Sequence, residues 1–315
     1  MTCQDAYLDN PAFRGLEQIA LDATSLSAFK ACPRRYELSI IRGWRHENAD
    51  LSFGSFLHAG REAYLKQRWC GLSHESALDA ALAHTFALIT SEDGLMWTSD
   101  KPTKRADTLI QALVLLCDHF ANDPLETVTI EGKPAIEYSF ALPFGDRTIC
   151  GHIDRIARDT NGRIYGIDLK STEGELNAAY ARQWSPHNQM SLYTWAIGEL
   201  TGCKGPGMMI EAVQTLVNTT RVTRIDVSRT PSCKTEWTKE LDWWIDSMYV
   251  CAKSAYWPQN DTACKLCQFR EICSTSPAHR DALLHAGFVR RQWNPLASMG
   301  AGFWSTQAWK RRRSR

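Results

Sequence analysis

The sequence predicts a mixed α/β protein, and three observations carry that expectation. Apolar side chains recur at helical spacing through the first 123 residues, three strand-like runs follow one another after Pro124, and helix, two strands and helix come next. The order describes a mixed sheet core flanked by helices, with a helical N-terminal insertion and a C-terminal cysteine cluster.

Ser25 or Thr24 can cap a helix from Leu26 to Ala31, and Pro33 opens a second stretch carrying Tyr36, Ile40 and Ile41. Ser52 to Trp69 reads as a helix with Phe53, Phe56, Leu57, Ala63 and Tyr64 on its apolar side, and Glu75 to Ile89 and Arg105 to Phe120 repeat the pattern. Strands are expected over Ala135 to Leu142, Arg147 to Ala157 and Arg163 to Lys170, an antiparallel meander turning at Pro143 to Asp146 and Asp159 to Gly162. Ser185-Pro186 has the cap and first-turn signature of a helix running to about Leu200. Met208 to Leu216 and Arg221 to Val227 read as strands, and Thr235 to Tyr256 as a helix closed by Pro258. The expected divisions are residues 1–123, 124–257, 258–290 and 291–315.

Composition narrows the function classes. At 315 residues, 44% hydrophobic and 23% charged, the chain can bury a real core and is neither disordered nor fibrous. With 36 Lys and Arg against 35 Asp and Glu it has no global field for polyanions, so nucleic-acid contact must come from local patches. Its most apolar stretch, Leu109 to Cys117, is interrupted by Gln111 and falls far short of the roughly 20 residues that span a bilayer. Met1 to Asp5 lacks the basic start of a secretory signal, and a cytoplasmic location without membrane contact is expected. Eleven cysteines, an odd number in a reducing compartment, argue against a disulfide framework and turn attention to metal ligation.

The most informative segment is Gly151-His152-Ile153-Asp154-Arg155 followed by Gly166-Ile167-Asp168-Leu169-Lys170. Antiparallel pairing about a turn centred on Asn161 sets Asp154 opposite Asp168, with Cβ atoms about 5 Å apart. Lys170 projects from the same face. Two facing carboxylates in a half-buried sheet repel unless a cation or proton intervenes, and hard oxygen ligands suit Mg²⁺ or Mn²⁺. A lysine beside such an ion can position an attacking water and offset charge on a phosphate transition state. The bland alternative is a surface ion pair between Asp168 and Lys170 at a strand end, since D-x-K is short and common. Glu137, on the preceding strand, either joins the acidic cluster or is an ordinary exposed residue.

Cys264, Cys267 and Cys273 are spaced so that one loop can present several thiolates to one centre, as both zinc and iron-sulfur sites require. The remaining scattered cysteines read as core filling or surface. From Trp293 the chain runs through Phe303, Trp304 and Trp309 to the basic end Lys310 to Arg315, which either stacks on and attracts single-stranded DNA or is a solvated terminus.

Taken together these pieces resemble the PD-(D/E)XK nuclease superfamily, in particular its RecB-like branch, which includes the AddB nuclease domain and CRISPR-associated iron-sulfur exonucleases. The resemblance rests on Ser25 to Phe29, Cys32 to Tyr36, Gly54 and His58, the segments around Asp154 and Asp168, Gln189 with Tyr193, and the three late cysteines, in that order. It departs from the motif's name at Ile153, where proline is expected, and at Asp168, where glutamate is common.

The resemblance implies a restriction-endonuclease-like core. Asp154, Asp168 and the backbone carbonyl of Leu169 would bind the metal with His58 as a further ligand, and Lys170 would serve the water. Gln189 and Tyr193, four residues apart, would contact the substrate strand or brace the lysine. It also implies a [4Fe-4S] cluster on Cys32, Cys264, Cys267 and Cys273, with zinc the competing occupant.

The function so implied is a Mg²⁺- or Mn²⁺-dependent DNA exonuclease acting on single strands or free ends. Its setting would be recombination, repair or phage and mobile-element DNA processing, with a recombination or helicase protein as partner. Two alternatives stand beside it: an inactive DNA-binding or assembly module with a structural cysteine site, and a zinc-ribbon adaptor.

Overall fold

A computed structural model of the chain describes residues 10–46 and 49–297. Its longer elements are, in chain order, α1 (Ala23–Ala31), α2 (Ala49–Trp69), α3 (His74–Ile89), α4 (Ala106–His119), β1 (Ile136–Phe144), β2 (Arg147–Arg158), β3 (Ile164–Thr172), α5 (Ala178–Arg182), α6 (Asn188–Thr201), β4 (Gly207–Thr215), β5 (Thr220–Asp226) and α7 (Pro231–Ser254). The chain gathers into two compact units, each assembled from separated segments. One takes Met1–Glu47, Ser139–Gly151 and Glu236–Arg315, and the other Asn48–Tyr138 and His152–Thr235.

The second unit holds a mixed sheet. β3 runs antiparallel to β2, from Ile164 opposite Arg158 to Ile167 opposite Arg155, and parallel to β4, from Tyr165 beside Gly207 to Thr172 beside Gln214. β4 and β5 are antiparallel. A parallel pair needs a crossover, and α6 supplies it between β3 and β4.

Successive strand residues face opposite sides, and each side of the sheet is covered by helix. On one side Leu169 and Val213 join Phe53, Leu57, Tyr64, Ala81, Leu109, Leu113 and Leu116 of α2, α3 and α4 in one buried cluster. On the other, Gly166 lets α6 approach so closely that a Cβ there would lie 2.5 Å from Ile197 Cδ1. Gly60 plays the matching part on α2, where a Cβ would meet Leu113 Cδ2 and Thr85 Oγ1 at 2.6 Å.

In the other unit the cap of α1 is Asp22, two or three positions before the residues expected. Its Oδ1 accepts the Ser25 N–H at 3.0 Å while Ser25 Oγ accepts the Asp22 N–H at 3.1 Å. The reciprocal bond makes Ser25 the third helical residue instead of the cap. Phe29, Tyr36 and Trp257 pack as edge-to-face and tilted rings, and Leu38, Trp44, Phe269, Ile272 and Leu284 form a second buried cluster beside Cys267 and Cys273. Ala20 and Leu21 pair in parallel with Thr148 and Ile149 at the start of β2.

Helix α6 begins after the Ser185-Pro186 pair. That peptide bond is cis, and His187 occupies the cap position. Among the described residues no helix is long and apolar enough to cross a membrane.

Behind the sheet lies a buried ionic network. Asp123 accepts from Arg155 Nη1 at 2.8 Å and from both terminal nitrogens of Arg224 at 2.9 and 2.8 Å, Arg224 also bonds Glu211 at 2.6 Å, and Glu211 pairs with Arg61 at 3.3 Å. Burial works to raise the Asp123 pKa, but hydrogen bonds and charge from Arg224, then Arg155, hold it down at about 2. A depressed carboxylate stabilises the fold above its unfolded pKa and loses that contribution as pH falls through the folded value. Asp123→Asn is therefore expected to cost about 3 kcal/mol at pH 7, the usual penalty for breaking a buried pair. In urea unfolding the gap between wild type and variant should shrink between roughly pH 4 and pH 2; a gap independent of pH would exclude the charge as its source.

Candidate functional site

β2 and β3 pair in the expected register as far as Ile167 opposite Arg155. At the next position the backbone ladder gives way to a side chain: Asp154 Oδ2 accepts the Leu169 N–H at 2.6 Å. The carboxylate is thereby fixed beneath the neighbouring strand. Arg155, pointing the other way, is clamped to Asp123, to Thr127 Oγ1 at 3.1 Å and to the Leu125 carbonyl at 2.5 Å. The Asp-Arg pair of the motif thus ties the site to the buried network.

His58 on α2 reaches the same place. Its Nε2 donates to the Leu169 carbonyl at 3.0 Å, which leaves Nδ1 3.5 Å from both Glu137 Oε1 and Asp154 Oδ2. His58, Glu137 and Asp154 each offer a ligand atom, all within 4.8 Å of one another. Glu137 stands at φ +47°, a left-handed backbone unusual for a residue with a side chain, and its second oxygen is 2.5 Å from His152 Nε2. Such conformations cost of order 1 kcal/mol or more and persist where surrounding structure enforces them.

Asp168 is drawn a little apart from this trio. Its side chain is 1% exposed; Oδ1 accepts from Gln189 Nε2 at 3.2 Å, and Oδ2 lies 2.5 Å from Lys170 Nζ. Gln189 Nε2 also donates to Tyr193 Oη at 3.1 Å. Gln189 therefore steadies the acid that pairs with Lys170, and Tyr193 steadies Gln189.

The charges explain one another. Burial opposes charge on His58, yet Asp154 and Glu137 raise its pKa to about 9. Asp154 moves the other way, raised chiefly by burial and then by Asp168 and Glu137, against the pull of His58. Burial would raise Glu137 too, but hydrogen bonds from His152 and His58 hold it low. Lys170 remains a cation against the cost of burial because Asp168 and Asp154 face it.

The model of the PD-(D/E)XK nuclease superfamily matches residues 20–274. The chain belongs to that superfamily. Among solved structures it is similar to an exonuclease candidate from Eubacterium rectale, with 12% identity and a TM-score of 0.49 over 90% of this chain and 94% of that one. It is also similar to SSO0001, with 16% identity and a TM-score of 0.33 over 82% and 87% of the two chains. No match is found among curated proteins.

The donor set fits the divalent metal that the superfamily implies. One imidazole nitrogen and two carboxylates converge from α2, β1 and β2. A mixed nitrogen and oxygen set suits Mn²⁺ at least as well as Mg²⁺. The Leu169 carbonyl takes the other N–H of His58, which orients the ring as outer partners of ligating histidines do.

Sequence reasoning left Glu137 undecided and gave His152 no role. The available signal was the alternation of β2, which sets His152 and Asp154 on one face two residues apart.

The cysteines expected to hold a cluster are elsewhere, in the other unit. Cys32, Cys264, Cys267 and Cys273 line one pocket with Asn260 and Phe269. The Asn260 N–H points at Cys32 Sγ at 3.3 Å. Trp293 donates its indole N–H to Asp22 at 3.3 Å and lies under Arg45, so it is committed to the fold. Phe303, Trp304, Trp309 and the basic end fall outside the described residues.

If Glu137 is a metal ligand, Glu137→Gln should weaken Mn²⁺ binding about 10- to 100-fold, read by titrating the paramagnetic signal of free Mn²⁺. Unchanged affinity would remove Glu137 from the set.

Proposed function

We propose that the protein is a Mg²⁺- or Mn²⁺-dependent DNA exonuclease of the RecB-like branch that acts on single strands or free ends and carries a structural [4Fe-4S] cluster. The observation that carries the nuclease reading is the convergence of His58, Glu137 and Asp154 beside the buried Asp168 and Lys170 pair. A site retained only as scaffold would have no need to keep carboxylates, an imidazole and a half-buried ammonium together at the electrostatic cost of desolvating them. That favours catalysis over the inactive binding module.

A bound divalent cation supplies an acidified water and charge for a phosphoryl oxygen. His58, Glu137 and Asp154 would hold it, with Asp168 and the Leu169 carbonyl adjoining. Lys170 orients the attacking water through its N–H groups and offsets negative charge that grows on the phosphate. Gln189 fixes the Asp168 carboxylate so that Lys170 keeps one position, and Tyr193 fixes Gln189. His152 holds Glu137 in its left-handed backbone state.

The four cysteines sharing a pocket support the cluster. Arg34 and Arg280 lie close enough to Cys273 to lower its pKa against the burial that raises it, and they would suit an anionic cluster. Processing of DNA ends in recombination, repair or mobile-element replication, alongside a helicase or recombination partner, is the setting such an enzyme fits.

Two experiments test this reading. Anaerobically purified protein with Mn²⁺ should degrade linear DNA and spare closed circles, and Asp168→Ala and Lys170→Ala should each lower the rate by at least about 100-fold. Cleavage that persists in both variants overturns the active site. Elemental analysis should give iron in excess of zinc, and Cys264→Ala should lose the iron together with the brown absorption. Stoichiometric zinc with no iron would establish the competing occupant.

A further inference from the structure

Beside Lys170 the second unit has a wide, open cleft of about 520 Å³. Lys170, Thr172, Gly174, Tyr180, Gln183 and Trp184 contribute to its wall. Lys170 therefore belongs to two places: its Nζ pairs with Asp168 and also sits 5.9 Å from the centre of the Trp184 ring.

The far wall is aromatic. Tyr180 in α5 and Trp184 in the turn just beyond it meet edge to face with centroids 6.0 Å apart at 70°, and Trp184 meets His187 at 5.0 Å. The Trp184 indole N–H lies beside the Tyr180 hydroxyl, which ties the two rings together.

The charges of the lining offer little to hold a phosphate inside the cleft itself. Lys170 is the only cation among the described residues lining the cleft, and Asp168 already neutralises it, while Glu175 adds a negative charge to the lining. What fits is a planar, uncharged ring with polar edges, placed beside the phosphate that Lys170 serves. We infer that this cleft receives one nucleobase of the DNA strand at or next to the scissile phosphate, packed against Tyr180 and Trp184. The inference rests on the nuclease reading and deepens it. A base can enter only after leaving its stack and its pair, so the cleft selects single strands and frayed ends.

The test uses the full-length wild-type protein with Mn²⁺ and a series of end-labelled single-stranded oligonucleotides, each with one abasic residue at a different position. Cleavage should pause at one fixed distance from the missing base, with the step there slowed about 5- to 150-fold, the loss expected for one base–aromatic contact. Trp184→Ala should show a comparable slowing on intact DNA and no added pause at the abasic residue, whereas Trp184→Phe should keep the wild-type pattern. Uniform progress past every abasic position, or an unchanged pause in Trp184→Ala, overturns the cleft and leaves the nuclease standing. A wild-type protein that neither binds nor cuts any of the strands overturns both. The abasic series needs no variant, so it decides the matter even where Trp184→Ala fails to fold.

Discussion

The fold is organised around the need to keep three carboxylates in a largely dry place. Glu137, Asp154 and Asp168 lie on three successive strands, and each has been given a fixed positive or donating neighbour: His152, His58 with the Leu169 amide, and Lys170 with Gln189. In a medium of low effective dielectric these neighbours are a condition of folding. The elements that deliver them are α2, β2, β3 and α6, and their packing follows from where the acids must sit.

A second group of buried charges, Asp123, Arg155, Glu211, Arg224 and Arg61, stands on the sheet's other side and shares strand β2 with the first. Asp154 and Arg155 are adjacent and face opposite ways, so one strand is gripped from both sides. Phe120 lies against the guanidinium groups of Arg224 and Arg61, at 4.1 and 5.6 Å from the ring centre, and seals the network from water. A one-residue slip of β2 would move both sets of charges onto the wrong faces at once.

Much of this was legible in the sequence. The strand runs and the turn at Asn161 gave the hairpin register as far as Arg155 and Ile167, and helical spacing gave α2, α3 and α4 within a few residues, because strong periodicity is set by the core itself. What escaped depends on partners distant in the chain. Nothing near Glu137 announces a left-handed backbone, and only the fold brings it to His58, 79 positions earlier. Asp22 outranked Ser25 as a cap because both take part in one reciprocal bond, which a single-residue rule cannot apportion. Gln189 and Tyr193 were identifiable as a pair from their spacing, but their target, Asp168, is set by the crossover geometry of α6. The two units interleave segments, and linear composition carries no trace of that.

Gly60 shows how far from the acids the centre is set. A glycine inside a helix gives up about 1 kcal/mol of helical preference, and this one lies flush against Leu113 and Thr85 with no room for even a methyl group. His58 is two residues earlier and so projects from nearly the opposite side of the same cylinder. The distance from the back of α2 to its neighbours is thus the fixed datum from which the reach of the imidazole is measured. Ångström-scale accuracy at the centre is inherited from a surface that never touches it, and the missing side chain works as a calibrated spacer.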